Sequence, residues 1–178
     1  MNFEFYILDL IQEKLTCSFL DWLMPKVTFL GNAGWIWIAA ALILICMKKY
    51  RMYGVQLGIG LMVGFIIGNL FLKNIVMRER PCWINDNIQL LIPMPMDYSF
   101  PSGHTLSSFV SAGILIQRNL KIGFCAYILA VLIGFSRLYL YVHFPTDVLT
   151  GIVFGTIIAF VTVYMSKKII RKRADFNN

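Results

Sequence analysis

The chain reads as long apolar stretches separated by short polar ones. Val27 to Met47 is one such stretch despite Asn32, and Gly54 to Val76 is a second, interrupted by Asn69 and Lys73 near its far end. Ile122 to Val142 and Val148 to Met165 follow the same pattern. A helix that crosses a bilayer needs about 20 mainly apolar residues, so each stretch predicts a span. Ser102 to Ile116 is shorter and carries Ser107, Ser108 and Ser111. That mixture predicts a helix buried among others rather than facing lipid. The expectation is an all-α, polytopic membrane helix bundle of five to six transmembrane helices, filling 27–166 of a single domain over 1–178.

The segment 1–24 differs. Phe3, Tyr6, Ile7, Leu10 and Ile11 recur at helical spacing among Glu4, Asp9, Glu13 and Lys14. This predicts an amphipathic helix lying in the membrane interface, with a tilted, protein-covered sixth span as the alternative. The basic start, unbroken apolar core and small-residue cleavage site of a signal peptide are not seen here. Within the spans, Gly60, Gly64 and Gly68 repeat every four residues, as do Gly151 and Gly155. Small residues at that spacing let helix backbones approach closely in lipid, which makes them packing positions.

Composition sharpens the picture. Of 178 residues, 58% are hydrophobic and 14% charged, against about 25% charged in an ordinary soluble domain. A soluble globule of this size could not cover its surface with so few polar groups. The net charge of +7 would suggest nucleic acid in a soluble protein, but its distribution says otherwise. With five crossings, Lys48, Lys49, Arg51, Arg118, Lys121 and the basic tail (167–178) with Lys167, Lys168, Arg171, Lys172 and Arg173 share one side with a single acid, Asp175. Glu4, Asp9, Glu13, Asp21, Glu79, Asp86, Asp97 and Asp147 fall on the other. The positive-inside rule makes the basic side cytoplasmic, implies no nucleic-acid partner, and turns the other face outward. Cys46 and Cys125 sit in apolar runs as small packing residues. Cys17 and Cys82 fall on the outer face, where spacing leaves open whether they pair.

Both histidines, His104 and His143, lie at span ends on that outer face, together with Lys73, Arg78, Arg80 and Arg137. Several cations around one point suit a doubly charged anion, phosphate above all. Pro101-Ser102-Gly103-His104 opens a helix, with Ser102 as cap and Gly103 allowing close approach. Its free N–H groups would point at an anion. Asp147, four residues after His143, can reach back to the imidazole and leave one ring nitrogen as a nucleophile. A second histidine then suits protonation of a leaving oxygen. Two histidines and an aspartate also fit a zinc triad, but the surrounding cations would repel a metal. No metal or other cofactor is expected.

Three motifs now stand out: Lys73 to Pro81 as KxxxxxxRP, Pro101 to His104 as PSGH, and Ser136 to Asp147 as SRxxxxxHxxxD. In this order and on one membrane face, they resemble the type 2 phosphatidic acid phosphatase family, whose site is related to that of vanadium haloperoxidases. The resemblance implies that Lys73, Arg80 and Arg137 hold phosphate oxygens with Ser102 and Gly103. It implies that His143 attacks phosphorus with Asp147 orienting it, and that His104 is the general acid. Arg78 lies outside the pattern and reads as a solvated charge, with a cation at the rim of the site as the alternative. The implied activity is metal-independent hydrolysis of lipid phosphates or diphosphates, of the undecaprenyl diphosphate, phosphatidic acid or phosphatidylglycerophosphate type, at the outer face of the cytoplasmic membrane. The partners are then the lipid substrate and the bilayer; oligomeric state has no signal. Two alternatives stay open, a non-enzymatic binder or transporter of lipid phosphate and a vanadate-dependent haloperoxidase.

Overall fold

The computed structural model describes residues 3–176, the side chains of 173–176 excepted. Arg173 and Asp175 of the tail, as charged groups, therefore lie outside the described residues. The elements are α1 (Phe3–Leu15), α2 (Ser18–Leu30), α3 (Trp35–Cys46), α4 (Arg51–Gly64), a π-helical segment (Phe65–Leu72), α5 (Lys73–Val76), α6 (Pro81–Ile84), α7 (Gly103–Ile116), α8 (Leu120–Tyr139) and α9 (Pro145–Phe176). No strand occurs among the described residues.

The bundle is organised around α7, which packs on α4, α8 and α9. Leu106, Val110, Ala112 and Ile114 are buried along it, and so are Ser108 and Ser111. The buried serines do not go unpaired: Ser111 Oγ donates to the carbonyl of Ser107 at 2.8 Å, and Ser108 Oγ receives the indole N–H of Trp37 at 3.0 Å. That satisfaction is what allows a polar helix to sit at the centre of an apolar bundle. The expectation for 102–116 is met.

Both glycine stripes face α7. A Cβ at Gly60 would lie 2.8 Å from Ile114 Cδ1, and one at Gly64 2.6 Å from Leu106 Cδ2. From the other side, a Cβ at Gly155 would sit 2.8 Å from the Leu106 carbonyl oxygen, which cannot move aside. Close backbone approach therefore fixes α9 against α7, as the spacing predicts. Away from α7 the helices turn large apolar residues outward, including Phe71, Phe124, Val131 and Phe160. So many exposed aromatic and aliphatic side chains suit contact with lipid.

Three helical stretches are long and apolar enough to cross a membrane: Arg51–Ile84, Leu120–Tyr139 and Pro145–Lys172. A fourth arises if α2 and α3 form one bent span. The unbroken helix expected over Val27–Met47 is not what forms. It is interrupted at Asn32–Gly34, where Ala33 (φ +49°) and Gly34 (φ +67°) take left-handed conformations, and the two halves meet at 44°. The span expected to end at Val142 stops at Tyr139, because Tyr141 also takes positive φ (+57°) and turns the chain. At 14 residues, α7 is short for a crossing.

Helix α1 clasps the bundle end. Leu8 is fully buried against Tyr141 and Phe144, Gln12 Nε2 donates to the Tyr139 carbonyl at 2.6 Å, and Tyr141 Oη donates to Asp9 at 2.7 Å. Phe3, Tyr6 and Leu10 of the predicted apolar stripe are exposed, so its protein-facing side is a different one, centred on Leu8. All four cysteines are free. Cys46 and Cys125, expected as packing residues, are exposed; Cys82 is buried and Cys17 is not.

Candidate active site

The site forms where the segment between α5 and α7 meets the α8–α9 turn. Arg80 is extended (φ −83°, ψ 149°) because Pro81 follows it and opens α6 at its first position. The buried guanidinium donates from Nε to the Asp97 carbonyl at 2.6 Å and from Nη2 to Asp97 Oδ1 at 2.7 Å. Its Nη1 reaches the Val142 carbonyl at 2.6 Å and His143 Nε2 at 3.1 Å.

That last contact decides a tautomer. A guanidinium only donates, so His143 Nε2 must carry the lone pair and Nδ1 the proton. Nδ1 faces Asp147 Oδ2 and Ser99 Oγ, each at 3.4 Å. Ser99 Oγ in turn donates to Asp147 Oδ2 at 2.5 Å, and the Phe144 N–H reaches the same oxygen at 2.8 Å. The carboxylate therefore orients the imidazole partly through a serine. Burial, and then Arg80, Arg137 and Lys73, hold the His143 pKa well below its ordinary value. A lowered pKa favours the neutral ring, the form in which Nε2 keeps its lone pair.

Arg78 is not the solvated charge expected. Its Nη1 donates to Asp147 Oδ1 at 2.7 Å and to Thr146 Oγ1 at 2.7 Å, and Nη2 pairs with Glu4. The guanidinium also stacks over Phe144, 4.0 Å from the ring centroid. Sequence reading missed this because the partner carboxylate comes from α1, 74 residues earlier.

Lys73 is buried and pairs with Asp97. Burial would push the Asp97 carboxyl up, but Lys73 and Arg80 outweigh it and hold the group well below the usual carboxylate range. With Lys73, Arg80 and Arg137 positive and Asp97 negative, the cage carries two net charges, matching a phosphate dianion. Arg137 is buried at the end of α8, where Nη1 donates to Thr28 Oγ1 at 2.5 Å. Its Nε is buried with no hydrogen-bond partner among the described residues. Ser102 is buried as the cap of α7, its Oγ 2.9 Å from Thr105 Oγ1. A Cβ on Gly103 would lie 2.9 Å from Asn69 Oδ1, so glycine lets that amide approach without moving. His104, half-buried, has Nε2 at 2.8 Å from Asn32 Oδ1.

A cavity of about 950 Å³ lies against these groups. Its lining includes Lys73, Asp97, His104, Arg137 and His143 as well as the apolar Leu42, Ile45, Leu61 and Met62 of α3 and α4. The structure thus brings Lys73, Arg80, Gly103, His104, Arg137 and His143 to one wall system, with Asp147 and Ser102 immediately behind. Asp97, Ser99, Thr28 and Asn32 are the polar groups that sequence reading did not single out. An acid or amide near PSGH or inside a span is the faint signal that was available for them.

A family model described as "PAP2 superfamily" matches residues 53–171. An undecaprenyl-diphosphatase from Sulfolobus acidocaldarius is 34% identical over 140 residues, covering 77% of this chain and 68% of that protein. Undecaprenyl-diphosphatase BcrC from Bacillus subtilis is 32% identical over 144 residues, covering 81% and 74% respectively. Among solved structures, Aquifex aeolicus LpxE superposes with a TM-score of 0.81 at 26% identity, covering 92% of this chain and 96% of that one.

Proposed function

The chain belongs to the PAP2 superfamily, and from that membership we propose that it dephosphorylates a polyprenyl diphosphate of the undecaprenyl type through a phosphohistidine. That it is a multi-pass membrane protein and a lipid phosphatase follows from the family and its named relatives. The finer reading rests on one observation. One cavity is lined both by the buried cations Lys73, Arg80 and Arg137 and by apolar residues of α3 and α4, among them Leu42, Ile45, Leu61 and Met62. A phosphorylated lipid likewise combines a charged head with an apolar tail.

In the proposed reaction Lys73, Arg80 and Arg137 take the phosphate oxygens, the unpartnered Arg137 Nε among the donors, with Ser102 and Gly103 bringing the start of α7 against the group. His143 Nε2 attacks phosphorus while Nδ1–H stays on the Ser99–Asp147 pair. The P–O bond to the lipid phosphate breaks and its oxygen takes a proton from His104. In the second step His104 receives a proton from water, the oxygen attacks the phosphorus of phosphohistidine, and inorganic phosphate leaves. No metal enters either step. We place the site on the outer face of the cytoplasmic membrane and count five crossings, with α7 among them; the charge asymmetry supports both. A purified sample assayed in chelator against undecaprenyl diphosphate, phosphatidic acid and phosphatidylglycerophosphate tests the substrate. The expected result is phosphate release with the highest kcat/KM on the diphosphate. A higher kcat/KM on either glycerolipid would reassign the substrate.

A further inference from the structure

Asn32 is the polar side chain that the break between α2 and α3 delivers to the cavity. Three features converge on it. Its amide oxygen is 2.8 Å from His104 Nε2. The break is held in an unfavourable backbone, since Ala33 at φ +49° is a left-handed alanine, a conformation that residues other than glycine rarely adopt. Gly31, on the other side of Asn32, leaves no room for a side chain: a Cβ there would lie 2.7 Å from His104 Cδ2. The segment is thus shaped closely around the histidine ring.

We propose that Asn32 is a positioning residue for His104, anchoring Nε2–H on its carbonyl oxygen so that Nδ1 exchanges the catalytic proton. The inference rests on the phosphatase reading above, in which His104 is the general acid. The proton balance fits an amide. In the imidazolium both nitrogens carry hydrogen; Nδ1 gives its proton to the leaving oxygen, and Nε2–H stays on Asn32 throughout. Water then returns a proton to Nδ1. A neutral anchor keeps the ring oriented in both states without adding a charge to the cage of Lys73, Arg80 and Arg137.

The test compares substrates whose leaving groups differ in their need for a proton. Asn32→Ala is expected to lower kcat roughly tenfold or more on a lipid monophosphate, the scale of losing a partner that orients a working side chain. On p-nitrophenyl phosphate, with its good leaving group, the loss should be several times smaller. In the His104→Ala background, Asn32→Ala should have no further effect on the lipid substrate. Asn32→Asp, isosteric but charged, should move the basic limb of the kcat–pH profile upward by about one unit. Equal losses of Asn32→Ala on both substrates, or additivity with His104→Ala, would overturn the inference. If Asn32→Ala does not yield folded protein by gel filtration, the Asn32→Asp profile decides: an unmoved basic limb overturns it. His143→Ala run alongside separates the two claims. Phosphate release surviving in that variant sinks the phosphatase mechanism, whereas its loss together with even Asn32→Ala effects sinks the Asn32 role alone.

Discussion

His143 and His104 reach one cavity from different elements and are held in different ways. His143 sits in the turn between α8 and α9 and is 1% exposed. Arg80 fixes one nitrogen, and Ser99 and Asp147 the other, while Arg78 and Glu4 brace Asp147 from behind. His104, at the start of α7, is half-buried and rests on one amide from a broken helix. In the proposed reaction His143 must meet phosphorus along a defined line, and redundant fixing suits that role. The proton donor proposed for His104 changes charge twice per turnover, and a neutral partner tolerates both states. His143 thus has buried polar contacts on both ring nitrogens, where His104 has the one to Asn32.

Removing the two rings is the harshest way to break this comparison. His143→Ala should abolish phosphate release on every substrate. His104→Ala should lose about 10²–10⁴-fold on a lipid monophosphate, the ordinary range for general acid catalysis, and far less on an aryl phosphate. Similar losses for both variants on the aryl phosphate, measured as kcat, would erase the distinction.

The bracing behind His143 predicts smaller and graded losses. Asp147→Asn should cost less than His143→Ala, because the ring keeps Arg80 and Ser99. Arg78→Ala should cost least, roughly tenfold in kcat, since the Ser99 hydroxyl and the Phe144 N–H still hold Asp147. A loss from Arg78→Ala equal to that from Asp147→Asn would mean that Arg78 acts on substrate directly.

The smallest expected effect is on stability. His143 has a depressed pKa when folded and an ordinary one near 6.5 when unfolded. The unfolded chain therefore binds the extra proton as pH falls below about 6.5, and the folded state loses up to about 1.4 kcal/mol per pH unit from this group. Asp97, held low, stays ionised over the same range. Thermal inactivation in detergent should be faster at pH 5.5 than at pH 7.5, and His143→Gln should lessen that difference. An undiminished difference would remove His143 as its source.

Much of the molecule was legible from sequence because membrane helices and glycine spacing are local signals. The α7 helix, the stripes at Gly60, Gly64, Gly151 and Gly155, and the cap at Ser102 follow from residues a turn or two apart. The family motifs likewise carried Lys73, Arg80, His104, Arg137, His143 and Asp147 to one site. What escaped depends on distant partners. Arg78 looked solvated because Glu4 lies at the far end of the chain. The break at Asn32 was read through because one amide in an apolar run is tolerated, and left-handed Ala33 has no local signature. Ser99 and Asp97 came from an irregular segment whose path only the fold defines.

The most direct test of the central claim is to trap the covalent intermediate. Rapid quenching of the native protein with ³²P-labelled lipid phosphate, in chelator, should leave label on the protein that is stable to base and released by acid, as a phosphohistidine is. The label should map to His143 by peptide sequencing and be absent in His143→Ala. Label persisting in His143→Ala, or turnover by the native protein with no labelled species at any quench time, would contradict the account.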